Sequence, residues 1–158
     1  MNTTDSSAPL SSCQNTEPDM AQWLTEAKQD PHAPYVGMYL THNGIVRATP
    51  KRVVRPEQFP TSTNASGTAP VPSLENKVVA VDFSYDKQKL DAIVEEARSW
   101  EGVYYVRVWL NEGKIPVGGS LMYVLIGADI RPHAIDALNE LVGYIKNEAV
   151  NETEIYAS

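Results

Sequence analysis

Apolar positions along this chain fall at helical spacing in some stretches and gather as runs of β-formers in others. In DMAQWLTEAKQD (19–30), Met20, Trp23, Leu24 and Ala27 fall three and four residues apart behind Asp19, a side chain suited to cap a helix start, and Pro31 and Pro34 end the segment. YVGMYLTHNG (35–44) is rich in β-formers around one glycine and predicts a strand, as does KVVAVDFSY (77–85). Between Asp86 and Trp100 the helical period returns, with Leu90, Ile93, Val94, Ala97 and Trp100 on one face and Lys87, Asp91, Glu95 and Arg98 on the other. Gly102 stops it. VYYVRVWL (103–110) and SLMYVLIGA (120–128) predict two further strands joined by NEGKIPVGG, whose Gly118-Gly119 reads as a turn. A last helix starts near Pro132 and lines up Ala134, Ile135, Leu138, Leu141, Val142 and Ile145. NEAVNETEIYAS then reads as a polar tail.

This order predicts an α+β domain, a mixed or antiparallel sheet packed with helices. A chain of 158 residues builds one ordinary core, so a single domain is expected over 19–158. Residues 1–18, rich in Ser, Thr, Asn and Pro, read as a disordered leader. A Pro-, Ser- and Thr-rich loop over 48–77 interrupts the domain, and loops of that length are usually functional or mobile.

Charge changes this picture in one place. The formal net charge is −7, yet segment 44–77 holds five Lys/Arg against two Glu. An overall acidic chain is repelled by nucleic acid, whereas a local basic stretch suits a small anion. Taken alone, Lys51, Arg52 and Arg55 read first as a solvated loop balancing nearby carboxylates. Other chemistries find no support. His32, His42 and His133 are scattered without ligand spacing, so no metal is expected, and each reads as structural or exposed. Cys13 stands alone in the leader as an incidental thiol, which fits a reducing compartment. There is no G-x-S-x-G, P-loop or G-x-G-x-x-G motif, and no cofactor is expected. No apolar run is long enough to cross a bilayer and the N-terminus lacks the regions of a secretory signal, so a cytoplasmic protein away from membranes is expected.

What remains is a set of basic residues at element ends: Arg47 after the first strand, Arg131 at the start of the last helix, and Lys146 near that helix's end. An Arg beside free helix N–H groups makes an anion pocket. By spacing alone, Lys146 is a cation favouring the helix C-terminus by a few tenths of a kcal/mol.

GMYLTHNGIVR (37–47), VVAVDFSYDKQKLDAIVEEAR (78–98) and VYYVRVWLNEGKIPVGGSLMYVLIGADIRPHAIDALNELVGYIK (103–146) resemble the large, catalytic subunit of molybdopterin synthase. The most specific parts are the strand ending in Gly44–Arg47, the hairpin segment, and the helix carrying Arg131 and Lys146. The resemblance implies an α/β hammerhead-like domain and a homodimer. It also implies a small sulfur-carrier subunit on each outer end, whose C-terminal Gly-Gly thiocarboxylate gives its sulfur to cyclic pyranopterin monophosphate to form molybdopterin. It further implies that Lys146 is catalytic and that Arg47 and Arg131 bind substrate. Two positions depart from the family pattern. Ile130 stands where the family has His, and Thr153 stands at about the place of a second essential lysine, so that Lys51, Arg52 or Arg55 becomes a candidate substitute. A non-catalytic paralogue that keeps the dimer and the carrier groove is the alternative; a domain binding some other anionic metabolite is the third reading.

Overall fold

Two three-stranded antiparallel sheets, ordered β1-β5-β3 and β4-β2-β6, carry the chain in the computed structural model, which describes residues 16–55 and 76–158. The strands are β1 (Met38–Ile45), β2 (Val78–Tyr85), β3 (Val103–Leu110), β4 (Gly113–Pro116), β5 (Ser120–Ala128) and β6 (Val150–Tyr156). The helices are α1 (Met20–Ala27), the single turn α2 (Lys51–Val54), α3 (Lys87–Ala97) and α4 (Arg131–Tyr144). The α+β class expected from the order of helices and strands is the one that forms. Residues 1–15, with Cys13, and residues 56–75 of the 48–77 loop lie outside the described residues.

Strand β5 organises the first sheet because it is covered on both faces. Met122, Val124, Ile126 and Ala128 join the main core with α3 and α4, while Leu125, turned the other way, packs on Trp23 and Ala27 of α1. Asp19 caps α1, its carboxylate accepting from the Ala21 and Gln22 amides. Arg107 holds α1 down, lying 4.4 Å over the Trp23 ring and donating to Glu26 at 2.5 Å. The second sheet contributes Val78, Val81, Phe83 and Ile115 to the same core.

Four segments differ from the sequence expectation. NEAVNETEIYAS is not a tail: after a π-helical turn (Ile145–Ala149) it forms β6, paired along β2. NEGKIPVGG contains β4, which buries Ile115 against Val81. The loop begins with the turn α2, too short to show a period. On α4 the buried line is Ala134, Ala137 and Leu141, continuing to Ile145, whereas Ile135 is 43% exposed. In the segment read as leader, Glu17 is bound to the first sheet. Its carboxylate accepts from the Ser120 and Tyr123 hydroxyls, and these bonds hold its pKa below the usual value.

The start of α4 is set by Gly102, Asp129 and His133. Gly102 adopts a φ of +73°, and a Cβ there would stand 2.2 Å from His133 Nδ1 and 2.4 Å from Asp129 Oδ1, so the ion pair fits only beside a glycine. His133 Nδ1 lies 2.6 Å from Asp129 Oδ1. That contact raises the His133 pKa, with help from the Asp129, Glu101 and Asp136 charges, and lowers that of Asp129. A raised histidine pKa stabilises the fold fully below the unfolded value of about 6.5 and is lost as pH rises through the folded value. A depressed carboxylate pKa acts in the opposite sense, and its contribution is lost only in acid. The melting temperature of wild type should therefore exceed that of His133→Gln near pH 6, and the gap should shrink as pH rises through the folded value. A gap independent of pH would show that the pair does not titrate with folding.

Candidate functional site

The exit of β1 is fixed at two points. The Val46 N–H donates to the Gly119 carbonyl (3.0 Å) and the Val78 N–H to the Ala48 carbonyl (2.9 Å), so the backbone flanking Arg47 is held to the β4–β5 turn and to β2. Pro50 then starts α2, which carries Lys51, Arg52 and Arg55 back across β6. The Lys51 N–H donates to Glu154 (2.8 Å) and its ammonium donates to Glu152. From the opposite side the π-helical turn at the end of α4 delivers Lys146, whose Nζ lies 3.9 Å from the same Glu152 oxygen. Such turns interrupt a helix at a local cost and recur at functional sites.

These elements enclose a cleft of about 290 Å³. Arg47, Lys51, Arg55 and Lys146 supply its cations, Glu152 and Glu154 its carboxylates, and Val46, Val81, Phe83, Met122 and Val142 its apolar surface. Four cations against two carboxylates leave an excess of positive charge over a greasy floor, which suits a flat ring system bearing an anionic group. Burial lowers the Lys146 pKa; Glu152 opposes this, and the charges of Lys51, Arg55 and Arg47 reinforce it. His42 also lines the cleft, its pKa lowered by burial and by the Lys146 charge.

Of the residues singled out in the sequence, Arg47, Lys51 and Lys146 come together here, with Arg55. Arg52 does not line the cleft; its guanidinium lies 5.8 Å from the centre of the Tyr156 ring. Arg131 stands at the far end of α4. The adjoining Asp129 carboxylate already accepts the Ile130 N–H (2.7 Å), so this helix start carries its own anion. Among the described residues no cluster of three metal-ligating side chains occurs, and no helix is long and apolar enough to cross a membrane.

His42 and Glu152 are functional candidates that sequence reasoning passed over. β6 alternates, with Glu152 and Glu154 half-buried between the exposed Asn151 and Thr153, but its inward positions hold carboxylates facing cations. A search for apolar alternation passes over such a strand.

With that geometry in place, comparison with known proteins decides the family. The MoaE protein family model matches residues 63–148, more than half of the chain. The chain belongs to the MoaE family. Solved structures agree on the fold. A molybdopterin synthase from Staphylococcus aureus superposes with a TM-score of 0.61 at 16% identity, covering 90% of this chain and 88% of that one. Molybdopterin cofactor biosynthesis protein E from Burkholderia multivorans gives 0.59 at 18%, covering 90% and 86%. A complex of subunits 1 and 2 of the molybdopterin-converting factor from Helicobacter pylori gives 0.54 at 15%, covering 89% and 85%. No curated protein sequence matches. The cation cleft of this MoaE chain is therefore formed on a fold shared at low identity.

Proposed function

We propose that this protein is the large subunit of molybdopterin synthase, acting in the cytoplasm in molybdenum cofactor biosynthesis. It takes sulfur from the C-terminal Gly-Gly thiocarboxylate of a small carrier subunit and transfers it to cyclic pyranopterin monophosphate. Membership of the MoaE family supports the pathway, and the Helicobacter pylori complex supports a small-subunit partner. The observation that carries the reading is the convergence of Arg47, Lys51, Arg55 and Lys146 on one apolar-floored cleft. A thiocarboxylate and a cyclic phosphate are both anions, and fixed cations lower the cost of bringing them together. Arg47 binds the phosphate or the pterin, and Lys146 meets the thiocarboxylate. Lys51, with Arg55 beside it, supplies the charge that the family places where this chain has Thr153.

The decisive assay incubates the purified protein with thiocarboxylated carrier and the cyclic precursor. Molybdopterin above background is expected. Its absence, with an active control enzyme, favours the second reading, a non-catalytic paralogue that keeps the dimer and the carrier groove; Thr153 at the lysine position is the observation behind that reading.

The loop cations can be separated by substitution. Each charge-assisted contact to an anion is worth about 1.5 kcal/mol or more. Changing Lys51 and Arg55 together to Gln should therefore weaken precursor binding at least tenfold, and added salt should mimic the loss. Arg52→Gln, on the Tyr156 ring, should leave the affinity unchanged. Equal effects from both variants would show that the loop acts only as a diffuse charge.

A further inference from the structure

β1 alternates, and its inward positions toward α4 are unusual. His42 pairs with Val124 and Gly44 with Met122, and both partners belong to the main core, so a titratable ring stands on the core side of the sheet. Gly44 leaves the space beside it open: a Cβ there would stand 3.7 Å from His42 Nε2 and 3.6 Å from Met122 Cβ. The imidazole faces into the cleft and makes no hydrogen bond to any described residue. A half-buried ring with unused hydrogen-bonding capacity, at the wall of a cation-rich cleft, is free to bond whatever fills the cleft.

We propose that His42 contacts the ligand and takes up a proton from solvent when a phosphate-bearing ligand binds, so that binding strengthens as pH falls. The proposal rests on the reading of the cleft as an anion site. The charged groups that line the cleft with His42 are Arg47 beyond β1, Lys51 on α2 and Arg55 just after it, Lys146 at the end of α4, and Glu152 and Glu154 on β6, and of these Lys146 acts on the ring. Burial, and after it the Lys146 charge, hold the His42 pKa below its ordinary value, so the ring is neutral near pH 7. A bound anion offsets the cleft's excess of two positive charges, four cations against two carboxylates, and a doubly charged one such as sulfate cancels it. The imidazole then takes a proton from solvent at one ring nitrogen and, as HisH⁺, donates a hydrogen bond to a ligand oxygen while the proton stays on the ring. Linkage makes the effect reciprocal: a rise of one pKa unit on saturation is a tenfold gain in affinity between high and low pH.

Inorganic sulfate is the suitable probe, because it mimics phosphate and does not itself titrate between pH 5 and 8. The ring resonances of His32, His42 and His133 are followed by NMR through that range, with and without saturating sulfate, on the full chain. The expected result is a rise of about one pKa unit for His42 alone, with sulfate bound about tenfold more tightly at pH 5 than at pH 8. In His42→Gln the affinity should become independent of pH. Sulfate binding with His42 unmoved, or a pH dependence that survives in His42→Gln, would overturn the proposal and leave the anion cleft standing. No sulfate binding at any pH would overturn both.

Discussion

Lys146→Ala should lower sulfur transfer at least 100-fold while leaving the melting temperature nearly unchanged. Removing one preorganised group that stabilises charge at a reacting centre typically costs 10²–10³ in rate, and Lys146 is the cation that the helix end brings to the cleft facing β6. Its stem packs against the cleft with 40% of the side chain still exposed, and its one acidic neighbour is a Glu152 oxygen 3.9 Å away. Such a side chain contributes little to folding, and its removal is expected to stay within about 0.5 kcal/mol of wild type. Burial already disfavours its charged form, so truncation relieves a cost as well as losing a contact. Glu152 keeps Lys51 as a partner in the variant, so no carboxylate is stranded. The measurement is molybdopterin formation alongside a thermal melt. Activity that survives in a folded variant takes Lys146 out of the mechanism, whereas loss of both activity and fold makes it structural.

Much of this fold was legible because its buried faces are apolar and regular. Met20 to Ala27 and Leu90 to Ala97 announce themselves by period, the strands at 103–110 and 120–128 by their β-branched and aromatic composition, and Asp19 marks a helix start by its capping chemistry. The misses share a physical cause. β6 faces cations and so carries Glu152 and Glu154 where a core strand would carry Val or Ile. β4 is four residues long with a proline at its end. On α4 the sequence reading put Ile135 on the apolar face and left out Ala137, whereas the small alanines at 134 and 137 are the buried ones. Within the site, Arg47 and Lys146 stood out in the sequence as basic residues at element ends, and only the family resemblance gave them roles. That Lys51 and Arg55 reach the same cleft while Arg52 does not depends on a single helical turn, in which neighbouring residues point in different directions.

Mixing Arg131→Ala with Lys146→Ala, each inactive alone, should restore activity once subunits exchange. The two residues stand fifteen positions apart at opposite ends of one nearly continuous helix, α4 and its π-helical turn. At 1.5 Å per residue their backbones are roughly 22 Å apart, beyond what a pterin-sized ligand can bridge. Within one chain the cleft around Lys146 does not include Arg131. If Arg131 binds substrate, it does so in a cleft that is not its own. The two-fold dimer proposed from the family resemblance supplies that arrangement, because an isologous interface that brings Arg131 of one chain to Lys146 of the other does so twice. A mixed dimer then places both substitutions in one of its two sites and leaves the other intact. With random exchange about half of the dimers are mixed, each with one working site, so recovery of about one quarter of wild-type activity is expected. Exchange itself is followed with differently tagged chains. No recovery despite exchange would confine the site to a single chain, and an Arg131→Ala variant that is fully active alone would remove that residue from the site. A protein that stays monomeric at high concentration would end the shared-site arrangement.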